Sequence, residues 1–531
     1  MIKKIKTLLT GHHWLINFNT DKYLQNYILN PNPLHVKIFL FSFCASCALL
    51  ASGFFIGHLG VDDELLMRLS YFDGIGRGLW LNQLITYLLP GQMGISFAPM
   101  FIGCILYSTS ISILIIGLWK LQDVYTACAS AAIMGCFPYF ASMMSFDVVQ
   151  VAYPLGFIFI TISLLSVFYK FSITAVFLSS CFFAMGFACY QGVATTYVTA
   201  FVSTVGIRFV ASSNKNVVFK QIWLQWFPKM VLIALLGSVF YFGSTKISQL
   251  IVPHNDWSGL YKVSLDLRLV LNKIHLQNAV NNSYGLWMGH HGDLPRLAAK
   301  MFFLGNCILT ISLVLMKGFE LWKKIILILA LWFSIAVAPF WLLLVQANLL
   351  TPRSTVGLGI LYGFCFAALS ALKIRNIKTL MFISGIILCL QFIFIGNQMY
   401  YSQYIKTLSD YSLLNRIIAR VDAITCSRQQ MHPISLAFIG GHDRFAINEK
   451  RFNTLGASPL GWGGGDPGRQ AGFVDIVGIE GINIVRDPKL LNEINSYAVL
   501  NSIPEWPHPA SIFEYKDRTV CVFFHSLSLQ R

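Results

Sequence analysis

Three consecutive acids, Asp62, Asp63 and Glu64, follow directly on the first long apolar run of the chain, Val36 to Leu59. Like charges crowded together disfavour ionisation, so at least one of these carboxyls is expected to titrate above the ordinary range. A carboxylate tuned in this way suits a general base, which takes a proton from a hydroxyl held within hydrogen-bond reach. The same stretch continues through Arg68 to Asp73-Gly74-Ile75-Gly76-Arg77-Gly78. Its arginines suit a phosphate, because a guanidinium binds phosphate bidentately. The plainer alternative is a solvated loop with an interfacial charge cluster. Charge beside an apolar span is costly, however, and usually functional.

Other candidates are scattered along the chain. Asp147 closes Ser145-Phe146-Asp147, soon after Phe137-Pro138-Tyr139-Phe140. Gln191 lies in Cys189-Tyr190-Gln191-Gly192, and Arg353 in Thr351-Pro352-Arg353-Ser354. Taken singly, an acid, a Tyr-Gln pair or an arginine at a span end is ordinary; the arginine can simply snorkel. Arg353 could equally hold a lipid-linked phosphate. His290-His291-Gly292-Asp293 does not read as a metal site, because adjacent histidines rarely converge on one ion and no third ligand is suitably spaced. Gly461-Trp462-Gly463-Gly464-Gly465-Asp466 lacks the final glycine of a dinucleotide fingerprint. The phosphate loop with Lys and Ser/Thr and the Gly-x-Ser-x-Gly elbow are absent. No cofactor and no metal are expected.

The elements that must position these groups are membrane spans. The chain has 531 residues, 56% hydrophobic and only 12% charged, against about 25% charged in soluble domains. Runs of about 20 apolar residues are long enough to cross a bilayer. Eleven are read, at about 36–59, 97–118, 124–143, 148–169, 172–190, 192–211, 230–251, 297–316, 323–346, 355–372 and 379–397. Lys3, Lys4 and Lys6 precede no immediate apolar h-region or small-residue cleavage site, so the first span reads as retained. With residues 1–35 cytoplasmic, the inside loops hold twelve bases, among them Lys120, Lys170, Arg208, Lys215, Lys220 and Lys229, against two acids, Asp123 and Glu320. Basic residues of this kind set topology. They account for the net charge of +16 without a nucleic-acid partner.

This topology puts residues 60–96 and 252–296 in long outside loops of the membrane domain, 36–397. The tail, 398–531, is expected to be an outside α+β domain. Leu413, Leu414, Ile417, Ile418 and Val421 are spaced as in a helix. Ile434 to Ile439 and Thr519 to Phe524 resemble short buried strands, with a glycine-rich loop, Gly456 to Gly472, between them. Ten of the twelve cysteines lie in apolar runs, leaving Cys426 and Cys521 in the tail. In an oxidising compartment the two could form a disulfide or remain separate.

The order of these motifs resembles the bacterial and phage-type O-antigen glucosyltransferases, the type II glucosyl transferase family. The resemblance runs from the acids after the first span through Gly76-Arg77, Phe137-Pro138-Tyr139, Tyr190-Gln191 and Pro352-Arg353. It extends into Ile503-Pro504-Glu505-Trp506-Pro507-His508-Pro509-Ala510-Ser511-Ile512 and the strand after it. It implies a polytopic enzyme of the C-type glycosyltransferase fold in the bacterial inner membrane. Such enzymes move a sugar from a polyprenyl-phosphate carrier to a hydroxyl of lipid-linked O-antigen on the periplasmic side. The base then maps to Asp62 or Asp63, with Glu64 as third choice. Arg77 and Arg353 match the family's arginine positions, Asp147 and Gln191 fall in its remaining motifs, and these four with Glu64 are the expected substrate-binding residues. One departure is that family members often end the final strand with a lysine, where this chain has Phe524-His525. Rival readings are a flippase for a lipid-linked sugar, an O-antigen polymerase or ligase, and an O-acyltransferase. A flippase would favour paired repeats and mid-membrane charges, and an acyltransferase a histidine within a span. The first pattern is not found, and the one histidine within an apolar run, His58, stands at the end of the first run beside the acid triplet.

Overall fold

A computed structural model describes residues 33–55, 74–89, 97–169, 172–212, 214–252, 272–289, 293–316, 319–341, 351–372, 377–426, 434–442, 452, 455–479, 481–516 and 519–525. Asp62, Asp63, Glu64, Arg68 and His290 to Gly292 lie outside the described residues.

The helices, in chain order, are α1 (Pro33–Leu49), α2 (Ala51–Phe55), α3 (Trp80–Leu88), α4 (Phe97–Ser112), α5 (Val124–Gly135), α6 (Pro138–Met144), α7 (Ala152–Val167), α8 (Ile173–Cys189) and α9 (Val193–Ala211). They continue with α10 (Lys215–Gln221), α11 (Phe227–Ile251), α12 (Lys273–Met288), α13 (Arg296–Val314), α14 (Leu321–Val337), α15 (Leu358–Ala371) and α16 (Ile377–Cys426). Among the described residues, each of the eleven apolar runs contains helix, though not along its full length. Among the described residues, seven helical stretches are long and apolar enough to cross a membrane, or eight if α5 and α6 form one bent span. The α1 and α8 helices are apolar but shorter. The chain is therefore a largely helical membrane protein.

The α5–α6 bend measures 45°. Its cause is Pro138, which cannot donate a backbone hydrogen bond and drives the preceding residue out of the helical region. Phe137 accordingly adopts an extended conformation, and Pro138 starts α6. All seven residues of α6 are buried. Phe137 packs against Tyr139, Tyr362 and Phe392, with ring centroids 5.2 to 5.5 Å away.

The helix α16 runs unbroken for 50 residues. At 1.5 Å per residue that is about 75 Å, more than twice a bilayer's hydrocarbon thickness. The position between 397 and 398, where the sequence changes from span to tail, falls inside this helix. Its distal face packs Leu413, Leu414, Ile417 and Val421 onto a four-stranded sheet. The strands are β1 (Ile434–Ile439), β2 (Ile482–Ile484), β3 (Ile512–Tyr515) and β4 (Thr519–Phe523), in the order β2-β1-β4-β3. The β1 strand is parallel to both β2 and β4, while β3 is antiparallel to β4. The glycine-rich stretch is not all loop: α17 (Pro467–Val477) begins within it, where the Asp466 carboxylate accepts from the Arg469 N–H. A helix α18 (Pro488–Leu500) covers the other face of the sheet.

This two-faced packing bears on the cysteines. Cys521 is a free, buried thiol in β4 and packs with Leu491, Ile494 and Ala498 of α18. The helix that carries Cys426 lies against the opposite face. The alternation of side chains along a strand thus points Cys521 toward α18. Trp506 of the proline-rich tail motif is buried, with the Arg416 and Arg420 guanidiniums of α16 at 5.4 and 4.5 Å from its ring. His525 stands where the family's lysine was expected, and its Nε2 accepts from the Gly441 N–H at 3.2 Å.

Helices approach most closely at glycines. A Cβ on Gly135 would lie 2.6 Å from the Ser42 carbonyl oxygen of α1, next to the bond from the Ser46 hydroxyl to the Gly135 carbonyl. Gly243 of α11 has open space around the same position. Gly135→Ala should therefore destabilise the protein by about 1–3 kcal/mol, as overpacking does. Gly243→Ala should be neutral or stabilising by up to about 1 kcal/mol through helix propensity. Thermal melts of the two variants in detergent check the contrast, and equal melting temperatures would count against the α1–α5 packing.

Candidate active site

Arg77 is set by a turn that only glycine permits. The Gly78 N–H donates to the Ile75 carbonyl and the Leu79 N–H to that of Gly74. Gly78 has φ +79°, and a Cβ there would lie 2.5 Å from the Tyr241 hydroxyl. The turn is held from both sides. Gln83 of α3 accepts from the Gly74 N–H at 2.7 Å, and Gln249 of α11 donates to the Ile75 carbonyl at 3.3 Å.

Gln191 reaches this turn from the α8–α9 connection. Its Nε2 donates to the Arg77 carbonyl at 3.0 Å and to the Tyr241 hydroxyl at 2.9 Å. One helical turn on, the Thr195 hydroxyl donates to the Ser354 carbonyl at 3.0 Å. Ser354 belongs to the short 3-10 turn Pro352–Thr355, which Pro352 opens. The neighbouring Arg353 guanidinium lies 4.2 Å from the centre of the Phe146 ring. Its Nη1 is buried and has no hydrogen-bond partner among the described residues.

Phe146 leads into a second 3-10 turn, Asp147–Val149. Asp147 is 3% exposed, so it is not a solvated loop acid. Its Oδ1 accepts from the Gln150 Nε2 at 2.9 Å, and the same nitrogen donates to the Met144 carbonyl at 2.9 Å. Four motifs far apart in sequence are thereby linked: Arg77 to Gln191 directly, Gln191 to Arg353 through Thr195 and Ser354, and Arg353 to Asp147 through Phe146. Chemically, the cluster offers guanidinium groups suited to a phosphate on turns that also carry a buried carboxylate, the side-chain amides of Gln191 and Gln150 being engaged within the cluster. The acid triplet belongs to the segment between α2 and the Arg77 turn and lies outside the described residues.

The structure adds one residue to the sequence candidates. Asp293, considered above only as a metal ligand, is 2% exposed. Its Oδ2 has no hydrogen-bond partner among the described residues. It is an electrostatic neighbour of Tyr139, whose hydroxyl donates to the Leu286 carbonyl at the end of α12. Burial pushes the Asp293 carboxyl up to about 7. Nothing in the sequence singles it out, because an acid in a polar loop before a span is normally solvated. Among the described residues, no group of three or more His, Cys, Asp or Glu is placed to hold a metal ion.

The family model for the glucosyl transferase GtrII matches residues 51–372, more than half of the chain. That range contains Asp62, Asp63, Glu64, Arg77, Asp147, Gln191, Asp293 and Arg353. It stops short of the sheet and of the proline-rich tail motif, to which the sequence resemblance had extended. No curated protein matches, and no solved structure does.

The buried Asp293 implies a pH dependence of stability. An acid whose folded pKa is raised favours the folded state when protonated. That contribution is complete below the ordinary value of 3.8 and is lost as pH rises through about 7. The whole span is worth roughly 4 kcal/mol at 1.4 kcal/mol per pKa unit. Asp293→Asn, which stays neutral, should melt higher than the unsubstituted protein at about pH 8 and converge with it near pH 4. Melting curves at the two pH values check this; a pH-independent difference would mean that Asp293 does not titrate in the folded state.

Proposed function

Because this chain belongs to the GtrII glucosyl transferase family, we propose that it is an inverting transferase that moves glucose from a polyprenyl-phosphate carrier to a hydroxyl of lipid-linked O-antigen. In this reading the enzyme crosses the bacterial inner membrane eleven times. Residues 1–35 are cytoplasmic, and residues 398–531 form a periplasmic domain that α16 joins to the membrane helices. The donor and acceptor are both carried by membrane lipid, so no nucleotide sugar is needed at the site.

The observation that carries the reading is Arg353. Its guanidinium is stacked on Phe146 while a buried Nη1 has no partner among the described residues. It is tied through Ser354, Thr195 and Gln191 to the Arg77 turn. A donor phosphate would satisfy that nitrogen, and the two arginines would stabilise the charge that builds up as the carrier departs. Preorganised cationic donors of this kind supply much of the rate enhancement in group transfer.

The step is a single displacement. Asp62 or Asp63 takes the proton from the acceptor hydroxyl. The hydroxyl oxygen forms a bond to C1 of the glucose as the bond from C1 to the phosphate oxygen breaks. Both electrons of that bond leave with the polyprenyl phosphate, and the anomeric centre inverts. Asp147 and Gln191 hold the turns that present the arginines, and Glu64 keeps the base environment negative.

Asp62→Asn and Asp63→Asn, made singly, should identify the base by a loss of about a hundredfold or more in one of them. Full activity in both would remove the assignment. Arg353→Gln should lower turnover by about a hundredfold, and Arg353→Lys should rescue only part of it because lysine lacks the planar fork. The readout is transfer to O-antigen in proteoliposomes given polyprenyl-phosphate glucose. Mass spectrometry of O-antigen from cells with and without the gene separates the rivals. One added hexose per repeat supports transfer, altered chain length a polymerase, and an acetyl increment an acyltransferase.

A further inference from the structure

A cavity lies at the opposite end of the same helices that carry the candidate active site. The α7 helix follows the Asp147 turn and ends at Val167, next to Phe168, and α9 follows the Gln191 turn and carries Arg208 in its last turn. At 1.5 Å per residue, each places its far end about 25 Å from the active-site cluster. The cavity there measures about 710 Å³, and Arg208, Lys229, Gln221, Gln225, Tyr169 and Trp226 are among its lining residues.

Its construction depends on two stretches of π-helix. One, Ile113–Trp119, extends α4, and there the Leu118 carbonyl accepts from the Arg208 Nε at 2.8 Å. The other, Ile222–Trp226, joins α10 to α11 and contributes Gln225 and Trp226 to the cavity. Such wide turns interrupt regular helices and recur at functional sites. The Arg208 guanidinium lies 4.4 Å from the centre of the Phe168 ring and 5.6 Å from that of Trp226. Its Nη2 is buried without a hydrogen-bond partner among the described residues. No carboxylate forms an ion pair with Arg208 among those residues. The Lys229 ammonium donates to the Tyr169 carbonyl at 2.7 Å on the same wall. Further positive charge stands nearby, with Lys120 5.5 Å from the Tyr169 ring.

Part of the lining is apolar and exposed, at Leu224 and Leu232, and the neighbouring residues Trp223 and Phe227 on the same helical stretch are exposed large hydrophobics too. A cationic recess with an oriented guanidinium, edged by surface that faces hydrocarbon in a membrane protein, fits a ligand with an anionic head and apolar chains. Basic pockets between membrane helices hold anionic headgroups by this chemistry. We propose that this recess binds the phosphate headgroup of an anionic membrane phospholipid, with Arg208 as its principal donor and Lys229 as its second cation. The proposal rests on the membrane reading and not on the sugar transfer.

Native mass spectrometry of the full-length protein in neutral detergent tests it, with phosphatidylglycerol and phosphatidylcholine offered together. Phosphatidylglycerol should be retained preferentially, and Arg208→Gln should reduce its retention about fivefold, the equivalent of about 1 kcal/mol per basic contact. Gln225→Glu adds a negative charge at an exposed position and leaves the Arg208 contacts in place, so it should weaken retention without unfolding the site. Equal retention of the two lipids would overturn the proposal, as would unchanged retention in both variants. Displacement of the lipid by millimolar inorganic phosphate would also overturn it, by pointing to a soluble anion. Glucosyl transfer can fail or succeed independently of each of these results.

Discussion

Backbone N–H and C=O groups cannot be left open to hydrocarbon, and the rest of this structure depends on that constraint. Irregular backbone is tolerated at membrane depth only where protein buries it or it lines a cavity. This chain breaks its helices at Pro138, at Asp147, at Gln191 and again at Pro352. The breaks are gathered so that side chains and neighbouring turns satisfy one another's polar groups: Gln191 on Arg77, Thr195 on Ser354, Gln150 on Met144. The candidate site residues therefore collect where helices stop. The same condition that forces the breaks together creates a polar site inside an apolar bundle.

The long helix α16 carries a related constraint into the tail. Where it passes from the helical core to the sheet, Lys406 and Asp410 are both buried and lie 3.5 Å apart. Gln403, one turn earlier, accepts from the Gly456 N–H at 2.6 Å and donates to the Ala457 carbonyl at 3.4 Å. Removing one partner of a buried pair leaves an uncompensated charge, which costs more than the intact pair contributes. The pair braces α16 itself at this level, and the Gln403 bonds tie the helix to Gly456 and Ala457. Trp506, with Arg416 and Arg420 against its ring, repeats the fastening further along the helix.

The candidate site was legible in the sequence only as an order of motifs. Arg77, Gln191, Arg353 and Asp147 are each ordinary when taken singly, and the resemblance to a family singled them out. The contacts link the turns that carry them, which no local signal announces. Asp293 was not legible. Its burial comes from the packing of the loop that carries it near Tyr139, which no nearby residue reveals. Arg208 was read only as a topological charge, since its stacking on Phe168 and its bond to Leu118 join segments that are distant in the chain.

Composition, the spacing of apolar runs and the one-sided distribution of lysine were enough to establish a polytopic helical protein. Motif order was enough to indicate its family. These properties are additive along the chain: each span has to be apolar by itself, and each turn has to break by itself. Tertiary structure alone decided which breaks meet, that Asp147 and Asp293 are buried, that α16 continues without interruption into the sheet, and that Cys521 faces α18. Each of these depends on which surfaces pack together, and packing is a property of pairs of segments that no single stretch of sequence encodes.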